Sequence, residues 1–266
     1  MVDHASIVGP IGRIVNKYRR SAPLRESSGP CVITLQKKGA WMERESAGER
    51  AGIIVIWNDI VEESRADFLE WHSREHIPER VAIPGFVRGQ RWFDPASSPQ
   101  YLTVYSTRDT AVLTSAPYLE RLNNPTSWTR SAVAAFRNTS RSAGSLAWDS
   151  QGGNGGTMLT ARISEPVDAA DQLVKGWATH LLGPLASAAG VARVRVAVSA
   201  AAASRLATAE RAVRVGDLAE PPVTLLVEGF GTPAALRAAY DALAAGDPVL
   251  ARARVDVYTL QFDLAR

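Results

Sequence analysis

From Ala51 onward the apolar positions change period in a regular order. GIIVIWN (52–58) is a β-branched run closed by Asn58-Asp59, and it predicts a strand. From Glu62 to His76 the spacing of Phe68, Leu69, His72 and His76 sets four rings and chains along one side of a helix. Pro84-Gly85 then turns the chain into FVRGQRWF (86–93), where apolar and basic positions alternate. A Ser- and Pro-rich loop from Pro95 to Pro99 leads to the strand YLTVYST (101–107). A second helix is expected over Thr110–Leu122, ending at Asn123-Asn124-Pro125, and a fourth strand lies between Phe136 and Trp148. The order is βαββαβ, a ferredoxin-like unit over residues 50–150.

A glycine-rich linker, residues 151–156, follows. Beyond it TMLTARI, a helix over Ala169–Leu182, VARVRVAV, PVTLLVEGF, a helix over Pro233–Ala244 and ARVDVYTLQFDL give the same order again over 157–266. Landmarks keep step between the halves. Trp71 stands seven residues before Pro78 and Trp177 seven before Pro184; Gly85 follows Trp71 by fourteen, Gly190 follows Trp177 by thirteen. Tyr118 precedes Pro125 by seven and Tyr240 precedes Pro248 by eight. This register predicts an internal duplication. It sets Ala178, Thr179, Leu181 and Leu182 against His72, Ser73, Glu75 and His76, so the second copy keeps the packing and loses the polar groups. Chemistry is therefore expected in the first half. The alanine-rich segment Ala197–Val213 reads as a helical or flexible insertion with no chemistry visible. Each unit leaves one sheet face that must be covered, and two sheets packed face to face close an α/β barrel. The expected class is α+β: two tandem ferredoxin-like repeats fused into a pseudo-dimeric barrel.

Composition narrows the function. Of 266 residues, 46% are hydrophobic and 21% charged, as in an ordinary soluble globular protein. No apolar run reaches membrane-spanning length and no secretory signal pattern opens the chain, so a cytoplasmic protein is expected. A single cysteine, Cys31, excludes an internal disulfide and a cysteine-based zinc cage. The net charge of +3 is concentrated at the start: residues 1–41 carry +5, which leaves −2 for the rest. That distribution gives no electrostatic case for nucleic acid. Residues 1–49 are expected to be a basic extension, either an over-long gene start or a disordered arm.

The segment WHSREHIPER (71–80) carries the sharpest chemistry. His72-Ser73-Arg74-Glu75-His76 spells H-x-x-E-H, a zinc-peptidase pattern. On a helix, residues four apart share a face at about 5–6 Å between Cβ atoms. A catalytic zinc still needs a third ligand, and His4 and His180 are poorly placed to be one, so no metal is assigned. His72 and His76, with Glu75, instead suit acid–base work, because imidazole gives or takes a proton near neutral pH. The plainer reading has His76 favouring the helix C-terminal dipole and His72 idle in solvent. Arg80, Arg88 and Arg91 surround the Pro-Gly turn and suit an anionic oxygen; alternation puts Arg88 with Gln90 on one face and Arg91 on the other. Asn58, Asn124, Trp128 and Arg137 are further candidates to line a binding site, each with a cap or turn role as the alternative.

WHSREHIPERVAIPGFVRGQRW resembles the helix-to-strand signature of the dimeric α/β-barrel superfamily, and within it the EthD-like branch. Arg121–Thr126 and Phe136–Arg141 are similar to segments of a bacterial subgroup of that branch. The resemblance covers about residues 50–145; the second half matches in element order only. It implies a small-molecule ligand, in a superfamily that hosts isomerases, cyclases, dehydratases, small monooxygenases and haem-handling enzymes. Fold analogy supplies a substrate size class and no reaction. The expectation is a lyase, isomerase or cyclase that moves a proton on a small carbonyl or aromatic metabolite with no organic cofactor. The alternatives are a ligand-binding accessory protein of an oxidative degradation pathway and a haem- or metal-dependent oxidoreductase. Neither nucleic acid nor membrane is expected as a partner, and a homodimer stays open.

Overall fold

The computed structural model describes residues 50–164, 166, 169–215 and 217–266. The basic extension over 1–49, with His4 and Cys31, lies outside the described residues.

The elements are β1 (Gly52–Ile60), α1 (Arg65–Trp71), a π-helical turn (His72–His76), α2 (Ile77–Val81), β2 (Phe86–Phe93), β3 (Tyr101–Thr107), α3 (Ala116–Asn123), α4 (Ser127–Ala134) and β4 (Phe136–Asp149). After the linker come β5 (Thr157–Ile163), α5 (Ala170–His180), α6 (Leu182–Ala186), β6 (Val191–Ser199), α7 (Ala201–Ser204), α8 (Ala209–Ala212), β7 (Val223–Gly229), α9 (Pro233–Ala244) and β8 (Arg254–Ala265). The eight strands close an antiparallel barrel in the order β1-β3-β2-β8-β5-β7-β6-β4. The runs β4-β1-β3-β2 and β8-β5-β7-β6 are laid out alike, joined by β2 on β8 and β4 on β6.

Closure explains why GIIVIWN shows no alternation: both faces of β1 are covered. Ile53, Val55 and Trp57 point into the barrel, packed with Trp92, Leu102, Val104, Met158, Leu226 and Tyr258. Ile54 belongs to the outer layer beneath α2 and α3, with Ile77, Tyr105 and Tyr118. The lumen is thus a filled core. The second half buries a separate outer core around Trp177, Val194 and Leu225.

Two helix expectations are corrected. The first helix does not stop at His76 but runs on to Val81 through the π turn. Pro78 has no N–H, and its ring would crowd the carbonyl of Arg74 in a regular α-helix. The wider turn relieves this, with the Ile77 N–H reaching back five residues to the His72 carbonyl. Ser73 Oγ also donates to the Leu69 carbonyl at 2.8 Å, which loosens the same turn. The second predicted helix is broken. A 3-10 turn, Thr110–Thr114, is capped by Asp109, and α3 restarts with Pro117 in its first turn. α4 was not anticipated; Thr126 caps it by accepting from the Thr129 N–H at 2.9 Å.

Gly85 ends the helix–strand connection at φ +94°, and a Cβ there would meet Val112 at 2.4 Å. Only glycine serves at both counts. Its counterpart Gly190 also has positive φ, +82°.

Candidate functional site

A cavity lies between the outer face of β1 and β3 and the helices that cover it. His72, His76, Arg80, Asn58, Tyr105 and Glu210 are in its wall. Its free volume is about 30 Å³. Leu122, Arg141 and Arg214 line it too, and the same three line a larger vestibule of about 260 Å³. They form a neck between the two spaces.

The π turn sets the histidines. His72 and His76 stack at 5.5 Å between ring centroids, and Trp71 lies 4.3 Å from His76. Both imidazoles are buried, so the reading of His72 as an idle exposed side chain, with His76 as a dipole cap, does not describe this fold. Arg91 Nη1 stands 3.4 Å from His72 Nδ1. A guanidinium only donates, so His72 Nδ1 accepts and its proton sits on Nε2. Burial drives both histidines well below their ordinary pKa of 6.5, helped by Arg91 beside His72 and by Arg80 beside His76. The pair is neutral at physiological pH. Among the described residues no three His, Cys, Asp or Glu side chains gather to hold a metal. Flanking guanidinium groups make the surroundings favourable to an anion instead.

These burials have a stability consequence. The folded pKa values lie below the unfolded 6.5, so below that pH the unfolded chain binds protons that the folded chain refuses. Stability is full above 6.5 and is lost as the pH falls. Between pH 6.5 and 5.5 two such groups cost together about 2 kcal/mol. Urea midpoints across this range are expected to fall in the wild type and to fall less in H72Q/H76Q. A midpoint independent of pH in the wild type would contradict the burial of neutral histidines.

Arg80 is buried and its Nη2 donates to Glu210, with Glu79 at 3.7 Å from Nη1. Glu210 comes from α8, in the segment that the sequence marked as devoid of chemistry; that reading is corrected. Sequence distance hid it, since 130 positions separate the partners. Three cavity-lining atoms are buried with no hydrogen-bond partner: His76 Nδ1, Arg80 Nη1 and the Tyr105 hydroxyl. Burial pushes the Tyr105 phenol far above its ordinary pKa of 10, so it keeps its proton.

The other expected residues fall elsewhere. Glu75 turns away from the cavity and accepts from Thr126 Oγ1 at 2.6 Å and Thr129 Oγ1 at 3.2 Å, while Thr129 also accepts from Trp71 Nε1 at 3.2 Å. This network fastens the histidine helix to α4. Arg88 is held by Asp263, Nε to Oδ1 at 2.6 Å, and Arg91 alone faces the histidines, as strand alternation required. Asn124 Nδ2 donates to the Glu120 carbonyl at 3.1 Å and closes α3. Trp128 donates to Asp67 at 3.0 Å, and Arg137 to the carbonyls of Ala134 and Phe136. The sequence missed Tyr105, Tyr118, Glu210 and Arg214. For Tyr105 a signal existed: in YLTVYST, Tyr101, Thr103 and Tyr105 share the face opposite Leu102 and Val104.

The fold resembles solved structures at low sequence identity. A Fusobacterium nucleatum protein provisionally named a monooxygenase matches over 82% of this chain and 95% of its own, with TM-score 0.53 and 7% identity. An anthrone oxidase-like protein matches over 82% and 93%, with TM-score 0.50 and 13% identity. At these identities the likeness speaks to the fold alone. No family model and no curated protein matches the chain. No described helix is long and apolar enough to cross a membrane.

Proposed function

We propose that the chain is a small-molecule enzyme whose first step removes a proton from a carbonyl-activated carbon or a phenol. One observation carries this reading: His76 Nδ1, Arg80 Nη1 and the Tyr105 hydroxyl, all buried and unpartnered, line the same small cavity. Buried polar atoms without a partner call for an explanation, and a ligand in the cavity these three share would supply one. Their chemistries are complementary. With its own proton on Nε2, neutral His76 offers Nδ1 as an acceptor. The substrate C–H or O–H bond breaks and its proton passes to Nδ1. The electron pair moves onto the substrate oxygen, where the Arg80 guanidinium and the Tyr105 O–H, both donors, stabilise it. His72, in the same wall and held by Arg91, orients the stack. Glu75 contributes as a brace.

This first step is shared by isomerases, lyases, cyclases and oxygenations in which dioxygen meets a carbanion, and the geometry speaks to that step only. A cavity beside the histidine face favours catalysis over simple ligand storage. The EthD-like resemblance of residues 50–145 agrees with a ligand of small size. We also infer that the second half is a degenerate copy of the first. The like strand orders, the positive φ of Gly85 and Gly190, and the burial of Trp71 and Trp177 support the duplication.

The test is deuterium incorporation, followed by proton NMR in D₂O, with acetylacetone, acetoacetate and 4-hydroxyphenylacetone as probes. Protein-dependent exchange into at least one is expected, with a rate that stays level down to pH 6.5 because the base is depressed. Saturable binding of the probes with no exchange into any of them would instead identify a binding protein.

A further inference from the structure

The two connected spaces are lined by five arginines, Arg80, Arg141, Arg205, Arg211 and Arg214, and by three acids, Glu210, Asp217 and Glu220. Every acid is already taken. Glu210 pairs with Arg80, Asp217 with Arg211 at 3.3 Å and Glu220 with Arg205 at 3.7 Å. Arg141 and Arg214 remain, and these are two of the three residues that form the neck. Arg141 donates only to neutral acceptors: the carbonyls of Ala203 at 3.0 Å and Ser204 at 3.2 Å, and the Tyr118 hydroxyl at 3.2 Å. The Arg214 side chain makes no hydrogen bond or ion pair among the described residues, though its backbone N–H donates to the Arg211 carbonyl at 3.1 Å. Burial lowers its pKa, and Arg141 and Arg211 act in the same direction against Glu210 and Asp217, so its charge is only partly compensated.

We propose that the ligand carries a carboxylate which docks on Arg141 and Arg214 at the neck, with its reactive head in the inner cavity. The substrate class becomes an anionic carbonyl or phenolic metabolite. This rests on the proton-abstraction reading for the identity of the head, and on the neck alone for the anion. A planar carboxylate fits because guanidinium groups bind it through paired N–H donors, and because two partly desolvated cations gain most from a shared anion. The arrangement also accounts for the split of space. The inner cavity admits a reacting group and nothing larger, while the 260 Å³ vestibule accommodates the remainder of a metabolite. Arg141 sits on β4 opposite Ile56 of β1, and Arg214 follows α8, so each half of the chain contributes one arginine. The second half, stripped of histidines, would thereby set specificity for a site whose chemistry lies in the first.

Matched probes test this by calorimetric binding: acetoacetate against acetoacetamide, and 4-hydroxyphenylacetate against 4-hydroxyphenylacetamide. At low salt at least one carboxylate is expected to bind tenfold or more tighter than its amide, and the preference should shrink at high salt. R214Q, whose side chain has no hydrogen bond or close ion pair to lose, should fold normally and abolish the preference; R141Q should weaken it. The proposal is overturned if no pair shows a carboxylate preference in the wild type, or if the preference survives in both variants. Exchange of deuterium into neutral acetylacetone reports on the histidine chemistry separately. Its absence beside an intact carboxylate preference would remove the proton-abstraction reading and leave the anion site standing.

Discussion

H76Q is expected to slow protein-dependent deuterium exchange by about two to four orders of magnitude, the usual contribution of a positioned general base. Glutamine keeps a polar, hydrogen-bonding side chain in the cavity but accepts no proton at any working pH. The fold should survive, because the stack around Trp71 and Phe68 holds the helix independently of the imidazole charge. H72Q should cost much less. His72 Nδ1 is already engaged by Arg91, and its loss disturbs the position of His76 rather than the proton acceptor itself. The two variants therefore separate the roles: a large loss in H76Q with a level pH profile above 6.5 in the wild type marks His76 as the base. Equal losses in both would make the pair a structural stack, and a fully active H76Q would falsify the mechanism. Circular dichroism and thermal midpoints measured alongside keep a folding defect from being mistaken for a chemical one.

How far this site could be read from the sequence depends on which physical rule governs each residue. Element order was legible because the period of apolar residues is set by local geometry, and the eight strands fall in the segments expected to hold them. The opposite pointing of Arg88 and Arg91 was legible for the same reason: side chains alternate along a strand. The π turn was not, because it arises from a conflict between Pro78 and the helix it sits in, which periodicity does not express. That turn is why the motif misled. H-x-x-E-H assumes regular helix geometry, whereas here Glu75 faces α4 and the histidines face β3. The alanine-rich segment, and the stretch just past it, hid Glu210 and Arg214 most completely. Their role depends on barrel closure, which carries β6 to the edge of β4 and lays α8 over the cavity of the other half. No local pattern encodes a contact across 130 residues; only the register of the closed sheet creates it.

E210A is expected to destabilise the protein by about 3 kcal/mol or more, because removing one member of a buried ion pair leaves the other charge without compensation. Arg80 is only 3% exposed, so solvent cannot take over the role of Glu210. Glu79, at 3.7 Å from Nη1, offers partial relief and keeps the loss toward the lower end of the range for such pairs. The loss should be visible as a shift of the urea midpoint at pH 7.5, where both histidines are neutral in either state. E210Q is the informative companion: it retains a hydrogen-bond acceptor for Arg80 and removes only the charge. A smaller loss in E210Q than in E210A would assign most of the effect to desolvated polar groups, and equal losses would assign it to charge. The site predicts a second consequence. Without Glu210, Arg80 presents a charge that Glu79 compensates only in part, which lowers the pKa of His76 further and tightens binding of any anion. Weaker anion binding in E210A that nevertheless folds would mean that α8 is held over the cavity chiefly by this ion pair, and that the lid opens when the pair is broken.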